Sequence, residues 1–135
     1  MTIDDIFFQE VHTFFKDISL KYILPNIGNL NVSDISDKPD NSKVTKYDLI
    51  IEQELITFFK DKGFENIISE EHSSDLVNYE KFMTIDPIDG TRNFINGITK
   101  VVMMVSYIEN RNSIFSIIYN PINDTIYHTI NSNIY

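Results

Sequence analysis

Asp86-Pro87-Ile88-Asp89-Gly90-Thr91-Arg92-Asn93-Phe94 follows an apolar, β-favouring stretch, Phe82-Met83-Thr84-Ile85, so it begins where a strand is expected to end. Pro87 has no N–H and a fixed φ, so the strand is not expected to continue through it. Gly90 permits a sharp turn, and Thr91 to Phe94 can open a short helix. Asp86 and Asp89 are held close on this bent segment. Unpaired acids so placed repel one another, and a hard cation is the usual remedy. An EF-hand is excluded, because nothing after Gly90 supplies its alternating oxygen ligands and late Glu. An aspartyl-phosphate phosphatase would space its acids more closely. Asp, Pro and Gly also make ordinary solvated turns, so D-x-x-D-G by itself leaves both readings open.

Two other segments weight the choice. Ile67-Ile68-Ser69-Glu70-Glu71 is an apolar run ending in paired glutamates, and Val44-Thr45-Lys46-Tyr47-Asp48 heads a helical pattern. Together with the central run, D-P-I-D-G-T-R-N-F, they resemble in order the signature segments of the inositol monophosphatase family, the magnesium-dependent, lithium-sensitive sugar and inositol phosphatases. Such a resemblance implies hydrolysis of a small phosphomonoester, inositol-phosphate-like or sugar-phosphate-like, with Mg²⁺ as cofactor.

It also implies a role for each matching residue. Glu70, Asp86, the backbone carbonyl of Ile88 and Asp89 would hold the metal. Glu70 and Thr91 would orient and deprotonate a water, with Asp48 accepting a hydrogen bond from Thr91. Backbone N–H groups of Gly90 and Thr91 would hold phosphate oxygens. Glu71 is expected at the margin or in solvent. Arg92 stands where Thr is commoner in the family and is expected as an exposed charge. Asn93 is expected to cap the turn and Phe94 to anchor it.

With 135 residues the chain is read as one domain, 1–135, large enough for a hydrophobic core. Members of the resembled family are about twice as long, so the chain is expected to be an N-terminal half lacking the C-terminal α/β domain. A further metal-site aspartate and most leaving-group recognition belong to that half. Two readings follow: a phosphatase half that works with a separately encoded C-terminal half or as a homo-oligomer, or a non-catalytic remnant of a split gene.

A net charge of −9 disfavours nucleic acid as a partner, and a bound cation reconciles it with an anionic substrate. No apolar run approaches a membrane span, the N-terminus is acidic where a signal peptide is basic, and cysteine is absent. A cytoplasmic protein with no membrane partner is expected.

Periodicity supplies the architecture. Ile3, Ile6, Phe7, Val11, Phe14, Ile18, Tyr22 and Ile23 make an amphipathic stripe capped by Thr2 or Asp4 and closed by Pro25. His12 falls off that stripe and is expected exposed. Gly28 to Ser42 reads as a long polar loop, with Asp34, Asp37 and Asp40 as outside candidates for the metal. A second helix is expected from about Thr45 to Lys62, its stripe passing through Tyr47 or Asp48, Ile51, Leu55, Phe58 and Phe59, with Gly63 ending it. A carboxylate at Asp48 is costly there without a donor or cation.

Strands are expected at 66–69, 81–85, 101–109, 113–120 and 125–130, a meander turning at Asn110-Arg111-Asn112 and at Pro121 to Asp124. His128, in the last of them and without an acidic companion, is expected to be structural, and His72 is not expected to ligate metal. The fold class is α+β: two amphipathic helices packed on an antiparallel sheet. Val101 to Val105 and Ile114 to Tyr119 place apolar residues on both faces of that sheet.

Overall fold

The computed structural model describes residues 2–70, 80–131 and 133–134; Glu71 and His72 lie outside them. Helix α1 is Asp5–Ile18, and Asp4 caps it by accepting the Phe7 N–H at 3.0 Å. A π-helical stretch, Ser19–Ile23, continues α1 towards Pro25. The buried side chains of α1 are Phe7, Phe8, Val11, Phe15 and Ile18. Phe7, Val11, Ile18 and Ile23 of the expected stripe are buried, but the packed face widens to take in Phe8 and Phe15, while Ile6 is 64% exposed. Aromatic partners decide this. Phe8 stacks on His128 with centroids 3.9 Å apart, and Phe15 lies edge-on to Phe59 at 6.5 Å and Tyr119 at 5.7 Å. Phe14 instead stacks on Phe58 at 4.0 Å, at the outer seam between the helices.

Helix α2, Lys46–Asp61, starts at the N-cap Thr45 and buries Asp48, Ile51, Glu52, Leu55 and Phe59. Gly63, with φ of 101°, closes it by donating its N–H to the Lys60 carbonyl at 2.9 Å. Between the helices, residues 28–42 are more ordered than a polar loop. Strand β1 (Ile35–Asp37) pairs antiparallel with β2 (Lys43–Thr45), which leads directly into α2. Polar side chains hide the hairpin from a hydrophobic pattern, because its two-stranded sheet buries little.

A six-stranded sheet follows in the order β3-β4-β5-β6-β7-β8: β3 (Ile67–Ser69), β4 (Lys81–Asp89), β5 (Val102–Glu109), β6 (Asn112–Asn120), β7 (Thr125–Ile130) and β8 (Asn133–Ile134). The class is α+β, and the meander from β4 onward is antiparallel. The β3–β4 pair is parallel, with Ser69 opposite Ile85, so the sheet is mixed and not wholly antiparallel. That pairing sends β3 and β4 to the same end, which puts Glu70 and Asp86 together.

Strand β4 also runs further than Pro87 was expected to allow. Its pairing steps from Asp86–Met104 to Asp89–Val102, three residues against two, which is a one-residue bulge. Proline is tolerated at a bulge because a ladder hydrogen bond is already given up there.

Helices α1 and α2 pack on the face carrying Met83, Ile85, Met103, Val105, Phe115, Ile117 and Tyr119, all buried in one core. Asp86, Met104, Ile118 and Tyr127 form a cross-strand row on the other face, where Ile118 and Tyr127 are exposed. No helix among the described residues is long and apolar enough to cross a membrane.

Both histidines of the described residues have acidic neighbours. His12 is half-buried, and its Nε2 lies 2.8 Å from Asp124 Oδ1. Asp124 also accepts from Tyr119 at 2.8 Å and pairs with Lys16 at 3.3 Å, so α1 is pinned to the β6–β7 turn. These partners hold the Asp124 carboxyl down at about 2. The pKa of His128 is lowered by burial and partly restored by Asp5, the acid that sequence reading did not find.

The widened helix face is directly testable. Phe15→Ala should cost about 3–5 kcal/mol of unfolding free energy, whereas Ile6→Ala should change it by less than about 0.5 kcal/mol. Urea titrations of both variants measure this, and equal losses would restore the stripe through Ile6.

Candidate metal centre

The site begins with a helix cap. Thr45 Oγ1 accepts the Asp48 N–H at 3.3 Å, while Asp48 Oδ2 accepts the Thr45 N–H at 2.7 Å and the Thr45 hydroxyl at 2.6 Å. This is a capping box with Asp at its third position. Asp48 Oδ1 remains, and it accepts the Thr91 hydroxyl at 3.0 Å across 43 residues of chain. The donor that Asp48 requires at 2% exposure is thus supplied by the two threonines. Thr91 Oγ1 also approaches the Ile88 carbonyl at 3.2 Å. With one hydroxyl hydrogen, it can serve Asp48 or Ile88, but not both fully.

Gly90 sets where Thr91 stands. Its φ is 100°, and an added Cβ would meet the Lys100 carbonyl at 2.6 Å, so no larger residue fits without moving backbone. Helix α3, Thr91–Asn96, starts immediately after. Asn93 donates to the Lys100 carbonyl at 2.9 Å, and Phe94 is fully buried, as the turn's capping and anchoring roles require. Arg92 is exposed, and it donates to the Asn41 carbonyl at 2.9 Å, tying α3 to the β1–β2 hairpin.

Around this frame lie the carboxylates. Asp86 is half-buried, and its Oδ1 is shielded from solvent with no hydrogen-bond partner. Burial first, then the charge and hydrogen-bonding contact of Glu70, then the charges of Asp89 and Asp48 push the Asp86 carboxyl from 3.8 up to about 7. The fold has gathered acids without balancing them. Glu70 is 51% exposed at its side chain and has Lys38 Nζ 3.8 Å away, a weak counter-charge from the hairpin that sequence reading missed. Asp89 is exposed at the end of β4.

Among the described residues no group of three or more His, Cys, Asp or Glu side chains is already arranged to hold a metal ion. The donor set nevertheless suits a hard divalent cation: an orphaned carboxylate oxygen and neighbouring carboxylates that raise one another's cost of ionisation. The Ile88 carbonyl lies at the same strand end and has a second lone pair besides the one facing Thr91. Asp34, Asp37 and Asp40 have partners of their own, in Lys46 at 3.2 Å, in Lys43 and in the Ser42 N–H at 3.0 Å. One buried acid was overlooked: Glu52, fully buried one turn after Asp48, accepts the Ser69 hydroxyl. The i,i+4 spacing from Asp48 was the signal that could have found it.

An α+β domain whose parallel strand ends gather unbalanced carboxylates is the class that fold and site define. The chain belongs to the inositol monophosphatase family, whose model matches residues 15–133. It is 30% identical over 99 residues to the 3'(2'),5'-bisphosphate nucleotidase CysQ of Haemophilus influenzae, covering 69% of this chain and 36% of that protein. With inositol monophosphatase 1 of Bos taurus it shares 33% over 91 residues, covering 62% of this chain and 32% of that protein. A crystal structure of an IMPase/NADP phosphatase with Mg²⁺ and phosphate superposes with a TM-score of 0.71 at 19% identity, over 92% of this chain and 47% of that one. This chain therefore spans about a third of the curated relatives and about half of that structure.

The raised Asp86 carboxyl has a sign that can be measured. Between about pH 4 and 7 the unfolded chain releases a proton that the folded chain retains, so this group lowers stability as pH rises through that window and leaves it lower above. Metal-free melting temperature should fall from about pH 5 to about pH 8, and Asp86→Asn should lessen the fall. Thermal melts with chelator present check this. An identical pH dependence in wild type and variant would contradict it.

Proposed function

We propose that this chain provides the metal-binding and water-orienting part of a Mg²⁺-dependent phosphatase acting on small phosphate monoesters. The observation that carries the reading is the buried, unpartnered Oδ1 of Asp86 among Glu70, Asp89 and Asp48. Glu70, Asp86, the Ile88 carbonyl and Asp89 would hold the cation. When bound, Mg²⁺ supplies positive charge to the phosphate and acidifies an attacking water.

The chain's own residues do the rest. Asp48 Oδ1 accepts a hydrogen bond from the Thr91 hydroxyl at 3.0 Å, which turns a Thr91 lone pair outward to accept a hydrogen bond from the water. Glu70, half in solvent just after β3, would take a proton from that water as base. The Thr91 N–H is a first-turn amide with no intrahelical acceptor, and with the Gly90 N–H it can hold phosphate oxygens. Binding such an anion beside so many acids requires the cation first. Metal and substrate should therefore bind in that order.

The matched relatives are about twice as long as this chain, and the alignment covers about a third of each. We place turnover in the company of a C-terminal half, continuous with this chain or separately encoded, that would shape the leaving-group side. Catalytic geometry that is loose by about 1 Å can lose a hundredfold in rate. The chain alone should therefore bind Mg²⁺ or Mn²⁺ yet release phosphate slowly.

Calorimetry on wild type and Asp86→Asn tests the centre. Metal binding by wild type and its loss in the variant is expected, and equal binding by both would overturn the ligand assignment. No binding by wild type would favour a non-catalytic remnant. In the complete active protein, Thr91→Ala should lower kcat by about 10²–10⁴ with little change in KM. A normal kcat with a raised KM would place Thr91 on the ground-state phosphate instead.

A further inference from the structure

Helix α2 carries two buried acids one turn apart on the face that meets the sheet, Asp48 and Glu52. Asp48 reaches Thr91, just after β4. Glu52, fully buried, accepts the hydroxyl of Ser69, the last residue of β3 and the one before Glu70. Burying a carboxylate is costly, and an apolar residue on this stripe would pack without that cost. Stability alone does not ask for an acid at this position.

Position explains it better. Among the described residues the Glu70 side chain is only lightly held: half of it is in solvent, its ion pair to Lys38 is long at 3.8 Å, and its other contact is with the Asp86 carboxyl it faces. Its backbone is fixed from the N-terminal side by Ser69, which pairs with Ile85 in β4 and is anchored to α2 through Glu52.

We infer that Glu52 is a positioning residue: through the Ser69 hydroxyl it fixes the end of β3 and aims Glu70 at Asp86. Helix α2 then acts as one rigid bar with two arms. The Asp48 arm sets the water-orienting threonine, and the Glu52 arm sets the acid on the other strand. Loss of a residue that orients a metal ligand typically weakens metal affinity about 10–100-fold.

This inference rests on the metal-centre reading, and the experiment separates the two. Mn²⁺ affinity is measured by calorimetry on the full chain for wild type, Asp86→Asn, Glu52→Gln, Ser69→Ala, Ser69→Thr and the Glu52→Gln/Ser69→Ala double variant, each with a melting temperature. The expected result is about a tenfold loss of affinity for Glu52→Gln, a similar loss for Ser69→Ala and no additional loss in the double variant. Ser69→Thr, which keeps the hydroxyl, should retain affinity near wild type. A role in packing alone would not favour the larger threonine over the smaller alanine. Should Glu52→Gln fail to fold, the Ser69 pair decides by itself.

Wild-type affinity in both Glu52→Gln and Ser69→Ala, with binding abolished in Asp86→Asn, would overturn the inference and leave the metal centre standing. Absence of Mn²⁺ binding by wild type would overturn both.

Discussion

The Asp48 carboxylate is the constraint on which the site depends. One oxygen closes the first turn of α2 through Thr45, and the other holds Thr91 at the start of α3. A local capping interaction and a long-range tertiary contact thus share one side chain. Such a group cannot relax in one role without disturbing the other, so helix position and active-site geometry are set together. The cost of burying the charge is offset by three short-range donors, a balance that an isolated surface pair would not need.

The sheet contributes the second constraint. Parallel pairing of β3 with β4 brings Glu70 beside Asp86, and the bulge after Asp86 turns the Pro87–Asp89 segment so that Ile88 and Asp89 join them. Gly90 then reverses the chain where its α-hydrogen faces the Lys100 carbonyl with no room for a Cβ. The bulge and the Gly90 turn are local departures from regular strand geometry beside the gathered acids. Bulges commonly serve this re-aiming purpose next to functional sites.

What could be read from sequence follows from how local the determining physics is. The sharp turn at Gly90 was legible because residue type demands it, whereas the Asp48–Thr91 pairing, across 43 residues of chain, was expected only from the family resemblance. Most of the packed face of α1 was legible too, but not Phe8 and Phe15, which fall off the period and are drawn in by aromatic partners in β6 and β7 and in α2, while Ile6 satisfies the period and stays exposed. The β1–β2 hairpin escaped because its strands are short and polar, so its pairing leaves no hydrophobic alternation. Glu52 escaped for the opposite reason: a polar residue on an apolar stripe looks like a break in the pattern until the strand end it serves is visible. The parallel β3–β4 pairing is a non-local choice that strand propensity does not encode.

The acid cluster also sets a load that the aromatic core has to carry. Gathering Glu70, Asp86, Asp89 and Asp48 raises the free energy of the metal-free fold, since like charges approach in a partly desolvated place. That strain would be relieved by splaying the strand ends apart. Opposing it is a contiguous ring cluster in which Phe7, Phe64 and Phe115 meet at 5.3–6.1 Å and tie α1, the α2–β3 turn and β6 into one unit. Phe59 meets Phe64 at 6.0 Å and extends the same network along α2 to the helix that carries Asp48 and Glu52. Interlocked rings resist small displacements because any shift opens a void on one side. The apolar core therefore opposes the separation that the gathered charges favour.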